Sequence, residues 1–197
     1  TASSRVIVHE KIYDAFVERF VSEMDKLSVG PALDPTTQIG PVVSDTQLKS
    51  NLSYVEIARN EGCEVVSGQH LAERNTGYFQ RPGVFLNANN KMRSSREEIF
   101  GPVASIIKVS DFEEAVATAN DTEFGLSSAI CTRSLYYARE FKRLSEAGMA
   151  MVNLPTAGVD YHVPFGGRKN SSYGSREQGR AAIDFYTTTK TTYSFAG

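Results

Sequence analysis

Apolar and polar positions change period repeatedly along this chain. Residues 6–8 form a short apolar run suited to a buried strand, and from residue 10 the spacing lengthens. Ile12, Phe16, Phe20 and Met24 recur every four residues with Val17 and Val21 beside them, which predicts a helix over 10–27. A connector rich in Gly, Pro, Asp and Thr covers 29–41. Ser44 and Gln47 then make a capping box, Gln47 reaching back to the first turn of a helix whose apolar stripe is Leu48, Leu52, Val55 and Ala58. Gly62 stops that helix, and a strand resumes over 63–66.

The segment 68–82 is rich in turn residues, and 84–86 is extended. The β-branched run 104–109 suits a strand buried on both faces. Ser110 with Glu113 reads as a second capping box, opening a helix that ends near Asn120. A strand over 126–131 follows, then a helix over 134–145 with Leu135, Ala138, Phe141 and Leu144 on one side, and a strand over 149–153. A long glycine-rich and polar loop runs over 154–173, a short helix lies around 175–183, and the Thr- and Tyr-rich tail 185–195 alternates like a strand. Strand–helix–strand order of this kind predicts an α/β fold, a mainly parallel twisted sheet with flanking helices. An added tail strand would present a bare edge. The chain therefore divides into a body over 1–183 and a tail over 184–197 that serves subunit association.

Composition narrows the partners. Of 197 residues, 41% are hydrophobic and 22% charged, enough for one good core. The 21 basic and 23 acidic residues are well mixed, for a net charge of −2, which points away from nucleic acid and anionic membranes. Apolar runs such as 104–109 fall far short of a membrane span. Residues 1–8 carry a single charge and do not read as a secretion signal. Two cysteines make no disulfide framework, and a reducing cytoplasm is the expected compartment. Opening on Thr1 and running directly into Arg5-Val6-Ile7-Val8-His9, the chain reads as a segment of something longer.

Several groups along the chain could carry chemistry. His9, His70 and His162 lack metal-ligand spacing, so they read as structural or surface residues and no metal is expected. Cys131 falls in the strand pattern Ala129-Ile130-Cys131, where a thiol acts as a small hydrophobe. Cys63 stands beside Glu64, and a neighbouring carboxylate raises a thiol's pKa. Neither reads as a nucleophile. Gly166-Gly167-Arg168-Lys169 is either an anion-binding loop or a tight turn where backbones approach closely. Glu97-Glu98-Ile99-Phe100-Gly101-Pro102 is more specific. Two acids before a strand can be a solvated face, but a phenylalanine fixed by Gly-Pro can also pack on a planar heterocycle while Glu98 accepts two ribose hydroxyls.

With Val103 added, that segment resembles the Glu-Glu-x-Phe-Gly-Pro-Val signature of the aldehyde dehydrogenase superfamily. Other stretches follow in the family's order. Asn120-Asp121-Thr122-Glu123-Phe124-Gly125-Leu126 is similar to its Asn-x-x-x-(Tyr/Phe)-Gly-Leu segment. Val152-Asn153 and Pro164-Phe165-Gly166-Gly167 resemble the loop that closes the aldehyde channel, and Lys169, Ser171, Gly174, Arg176, Glu177 and Gly179 continue it. Upstream, Asp34-Pro35-Thr36-Thr37-Gln38-Ile39-Gly40-Pro41 resembles the connector after the first catalytic-domain helix. Residues 186–191 resemble the oligomerisation strand, so the resemblance covers essentially the whole chain. Over 153–167 it looks most like bacterial 2-oxoglutarate semialdehyde (2,5-dioxopentanoate) dehydrogenases. A carboxylate-bearing substrate needs a cationic anchor; Arg168 is one reading, and a solvent-facing arginine beside a glycine turn is the commoner one.

The resemblance implies a catalytic domain over 1–183 and an oligomerisation tail over 184–197. Thr1-Ala2-Ser3-Ser4-Arg5 is similar to the second half of the family's Gly-Gln-x-Cys-(Thr/Ser)-x-x-x-Arg pattern, which places the nucleophilic cysteine immediately before Thr1. Dinucleotide-binding domain, general base and oxyanion-hole asparagine are likewise expected upstream. By the same resemblance, Glu98 binds the nicotinamide ribose, Phe100 positions the ring, and Phe165 and Asn153 frame the substrate pocket. The implied activity is NAD(P)-dependent oxidation of an aldehyde to a carboxylic acid through a thiohemiacetal and a thioester. The expected partners are a small aldehyde and further copies of the chain. The isolated chain is expected to be inactive and to hold no dinucleotide tightly; the alternative is a non-enzymatic unit acting only in subunit association.

Overall fold

A computed structural model describes residues 2–71 and 77–197, which form two compact units, Ser3–Thr122 and Glu123–Gly197 with Ala2. Part of the turn-rich segment, 72–76, lies outside the described residues, as does Thr1.

In Ser3–Thr122 the elements are β1 (Arg5–His9), α1 (Glu10–Asp25), α2 (Asp45–Asn60), β2 (Glu64–Ser67), β3 (Gly83–Ala88), α3 (Arg93–Arg96), β4 (Val103–Val109) and α4 (Phe112–Asn120). They build a four-stranded sheet in the order β1-β4-β3-β2, with β4 parallel to both β1 and β3 and β2 antiparallel at the edge. Alternation along the strands sends side chains to two clusters. Val84, Leu86 and Ile106 meet Val8 together with Tyr13, Phe16, Phe20 and Met24 of α1. Phe85, Ile107 and Val109 meet Val55 and Ala58 of α2 and Cys63. The mainly parallel sheet with flanking helices agrees with the periodicity.

Two details depart from the expected stripes. Ile12 is exposed, and Tyr13 takes the buried place, its hydroxyl accepting from the Asn87 amide at 3.2 Å. The box at Ser110 and Glu113 is displaced by one residue. Asp111 is the N-cap of α4 and accepts from the Glu114 amide, while the Glu114 side chain reaches back to the Ser110 amide and hydroxyl, both at 2.7 Å. A carboxylate at the cap competes well with the neighbouring hydroxyl for the orphan amides.

In Glu123–Gly197 the elements are β5 (Phe124–Gly125), β6 (Ser127–Ile130), α5 (Leu135–Leu144), β7 (Met149–Val152), β8 (Arg168–Lys169) and α6 (Ala181–Tyr186). Strands β6 and β7 pair in parallel, and β5 and β8 pair antiparallel. Cys131 follows β6 and is exposed, not part of a packed strand. The helix expected around 175–183 starts only at Ala181. Glu177 is bridged to Phe165 instead, and Gln178 and Gly179 have positive φ values of 66° and 53°, outside the helical region. Residues 187–197 form no strand within the single chain, because a strand exists only where a ladder partner supplies its hydrogen bonds. No helix among the described residues is long and apolar enough to cross a membrane.

Candidate functional site

The acidic–aromatic segment sits between α3 and β4 and is fastened at several backbone points. Glu61, the C-cap of α2, receives the amides of Arg93 at 2.7 Å and Ser94 at 3.2 Å, and the Ser94 hydroxyl at 2.7 Å. Partial burial works to raise the Glu61 carboxyl, but these donors outweigh it and hold the group below the usual carboxylate range. The start of α3 is thereby tied to the end of α2.

The two adjacent carboxylates then separate in role. Arg93 donates to Glu97 from Nε at 2.8 Å and from Nη2 at 3.1 Å, and the Tyr54 hydroxyl donates to the same carboxylate. Arg93 first, then Tyr54, hold the Glu97 carboxyl below its ordinary range. Glu98 is exposed and makes no hydrogen bond or ion pair among the described residues. Ile99 packs into the α2 side of the core. Phe100 is 76% exposed and has φ of 61°. A bulky residue in the left-handed region is a genuine outlier, held there only if its surroundings dictate it.

Those surroundings are amides. The Gln47 amide donates to the Ser44 hydroxyl at 3.1 Å, while its side chain turns inward and donates to the Ile99 carbonyl at 2.9 Å and to Asn51 Oδ1 at 2.7 Å. The expected reciprocal half of the capping box is therefore absent. Asn51 donates to Gln80 Oε1 at 3.0 Å, and Gln80 donates to the Gly68 carbonyl at 2.9 Å. Asn51 is 0% and Gln80 1% exposed. A Cβ on Gly101 would meet the Asn51 amide at 2.7 Å, so the turn after Phe100 rests directly on that side chain. The Gly83 amide donates to the Pro102 carbonyl at 2.9 Å and completes the clamp. Sequence periodicity gave Leu52 the place that Asn51 occupies; the available signal was a polar residue three places after Leu48 and four before Val55, on the buried helix face.

The other two residues singled out belong to Glu123–Gly197. Asn153 has φ of 56°, and its amide is committed in both directions to Thr132, accepting from the amide at 2.8 Å and donating to the carbonyl at 2.8 Å. It locks the ends of β6 and β7 together and fixes where the following loop departs. Phe165 is half-buried and exchanges backbone hydrogen bonds of 2.6 Å and 2.9 Å with Glu177. Gly166 and Gly167 make a close backbone approach: a Cβ on Gly148 would lie 2.1 Å from the Gly166 carbonyl oxygen. The tight-turn reading of this loop holds. Arg168 is exposed.

The thiols also differ. Cys63 is buried with Sγ 3.4 Å from Met92 Sδ; burial, then the Glu61 carboxylate, push its pKa up. The acid responsible is Glu61, not the sequence neighbour Glu64. No cluster of His, Cys, Asp and Glu able to hold a metal occurs among the described residues.

As for what the arrangement can hold, an unpaired carboxylate offers acceptors to a vicinal diol, and an exposed ring offers a flat face to a planar heterocycle. Glu98 and Phe100 thus fit the ribose and ring of a nicotinamide nucleotide.

A sequence model of the aldehyde dehydrogenase family matches residues 1–192. The chain is 47% identical to an alpha-ketoglutarate semialdehyde dehydrogenase of Haloferax volcanii over 98% of its own length. It is 41% identical to an alpha-ketoglutaric semialdehyde dehydrogenase of Bacillus subtilis, also over 98%. It spans 40% of the length of each of these relatives. Among solved structures, the aldehyde dehydrogenase KauB from Pseudomonas aeruginosa superposes with a TM-score of 0.91 at 38% identity, over 96% of this chain and 38% of that one. An indole-3-acetaldehyde dehydrogenase in complex with NAD+ superposes with a TM-score of 0.90 at 36% identity, over the same shares.

Proposed function

Because this chain belongs to the aldehyde dehydrogenase family, we propose that it is the catalytic-domain part of an NAD(P)-dependent enzyme that oxidises a semialdehyde to a carboxylic acid. The observation that carries the reading is the pair on the clamped turn: an exposed carboxylate with no hydrogen bond or ion pair among the described residues and an exposed ring, two residues apart, on backbone fixed from below. A bound nicotinamide supplies the hydride acceptor. Glu98 would accept from the ribose hydroxyls, and Phe100 would position the ring. Preorganisation matters here, since misplacement of about 1 Å costs on the order of a hundredfold in rate.

Phe165 lines the aldehyde pocket, and Asn153 shapes it by anchoring the start of the loop. The buried, pKa-raised Cys63 is a poor nucleophile. The likeness to two semialdehyde dehydrogenases makes 2,5-dioxopentanoate the first substrate to try. The enzyme works in the cytoplasm, and residues 184–197, with Tyr193 and Phe195 exposed, serve to join copies of the chain.

The test is Glu98→Gln in the full-length protein, with 2,5-dioxopentanoate deuterated at the aldehyde carbon. Hydride transfer is expected to slow by about tenfold or more, with a raised isotope effect and an aldehyde KM changed by no more than about twofold. An unchanged rate and an unchanged isotope effect would remove Glu98 from this role.

A further inference from the structure

We infer that Asn51, through the buried amide relay Gln47–Asn51–Gln80, is a positioning residue that sets the backbone conformation of Phe100 and so the placement of its ring. The inference rests on the reading of Phe100 given above and adds residues that do not themselves reach a ligand.

Three observations support it. Phe100 is mostly exposed, so packing of its own side chain cannot hold φ at 61°; the restraint has to come through the backbone on either side. Both sides lead to the relay. The carbonyl before Phe100, that of Ile99, accepts from Gln47 Nε2, and the residue after it, Gly101, lies on the Asn51 amide with no room for a Cβ.

The relay also occupies an expensive place. Asn51 shares the buried face of α2 with Leu48, Val55 and Ala58, where an apolar side chain of similar volume would need no partners. An amide there makes sense only if every polar atom is used, and the chain from Gln47 to the Gly68 carbonyl uses them in donor-to-acceptor order. A core residue needed only for packing would have no cause to place an amide against Gly101 and to accept from the same Gln47 side chain that holds the Ile99 carbonyl. The relay couples three remote segments, at α2, at Gln80 and at Gly68, to the one turn that presents the ring.

The test is a double-mutant cycle in the full-length protein. Asn51→Leu with Gln80→Leu removes both buried amides together, so neither is left unpaired and the Gly68 carbonyl alone loses a buried donor. In this double variant, single-turnover hydride transfer from deuterated and protiated 2,5-dioxopentanoate is expected to slow about tenfold, with the isotope effect raised and the thermal midpoint close to that of the parent. The same pair of substitutions is then placed in a Phe100→Gly background, where no ring remains to be positioned. There the extra loss should vanish. An equal further loss in both backgrounds, no loss in either, or a double variant that fails to fold would each overturn the positioning role. If Phe100→Gly alone leaves hydride transfer untouched, it is the cofactor reading of Phe100 that fails.

Discussion

In Ser3–Thr122, α1 and α2 bury largely apolar faces against a four-stranded sheet, that of α2 interrupted by Asn51, and Val84, Phe85 and Ile106 are fully enclosed. In Glu123–Gly197, Phe141 and Met149 are the buried hydrophobic side chains among the described residues, while Leu135, Tyr136, Leu154, Tyr161 and Tyr173 stand exposed. The first unit is held by area removed from water. The second is shaped by backbone: the glycine approach of Gly148 to Gly166, the Phe165–Glu177 bridge and the Asn153–Thr132 lock. The difference explains how Glu98 and Phe100 can stand on a strained turn of the first unit. A dense core supplies the rigidity that a left-handed phenylalanine requires.

Three experiments break or sharpen this contrast. The largest effect is expected for Phe85→Ala, which empties a fully enclosed site and should lower urea-unfolding stability by about 3–5 kcal/mol. Leu135→Ala, at an exposed helix position, should change it by no more than about 0.5 kcal/mol. Comparable losses from the two would erase the distinction. Next is Gly148→Ala, whose methyl group would press on backbone and should cost about 1–3 kcal/mol. Hydrogen exchange should show the loosening at β6 and β7 and leave β3 and β4 protected; uniform loosening would mean that the units share one stability. The smallest perturbation is alkylation. Cys131 should react with iodoacetamide in the folded chain near neutral pH, and Cys63 only after denaturation, since its raised pKa and burial both suppress the thiolate. Equal labelling of the two would contradict the packing assigned to Cys63.

How much of this could be read beforehand follows from where the physics is local. The order of the longer strands and helices, the Ser44 cap and the stop at Gly62 depend on short-range preferences and period, and they appear as expected, whereas the one-turn α3 and the two-residue β5 and β8 carry no such signal. So does the close backbone approach at Gly166-Gly167, because glycine is what such contacts demand. The acidic–aromatic pair at Glu98 and Phe100 was legible as a motif, but its strained φ was not, since no local preference would choose it. Gln47 was assigned to its own helix end and instead serves a carbonyl 52 residues away. Asn51 gives no sequence signal of its role, because one polar residue in an apolar stripe carries no period of its own. The delayed start of α6 and the unformed tail strand have the same origin: each depends on a pairing decided elsewhere, by Phe165 in one case and by a ladder partner in the other.

The most direct measurement is a crystal structure of the full-length protein with NAD bound. The Phe100 ring should lie in van der Waals contact with the nicotinamide, and the Glu98 carboxylate should accept from the ribose hydroxyls at about 2.5–3.0 Å. A dinucleotide whose nicotinamide ribose is held by other side chains, with Glu98 and Phe100 facing solvent, would contradict the account.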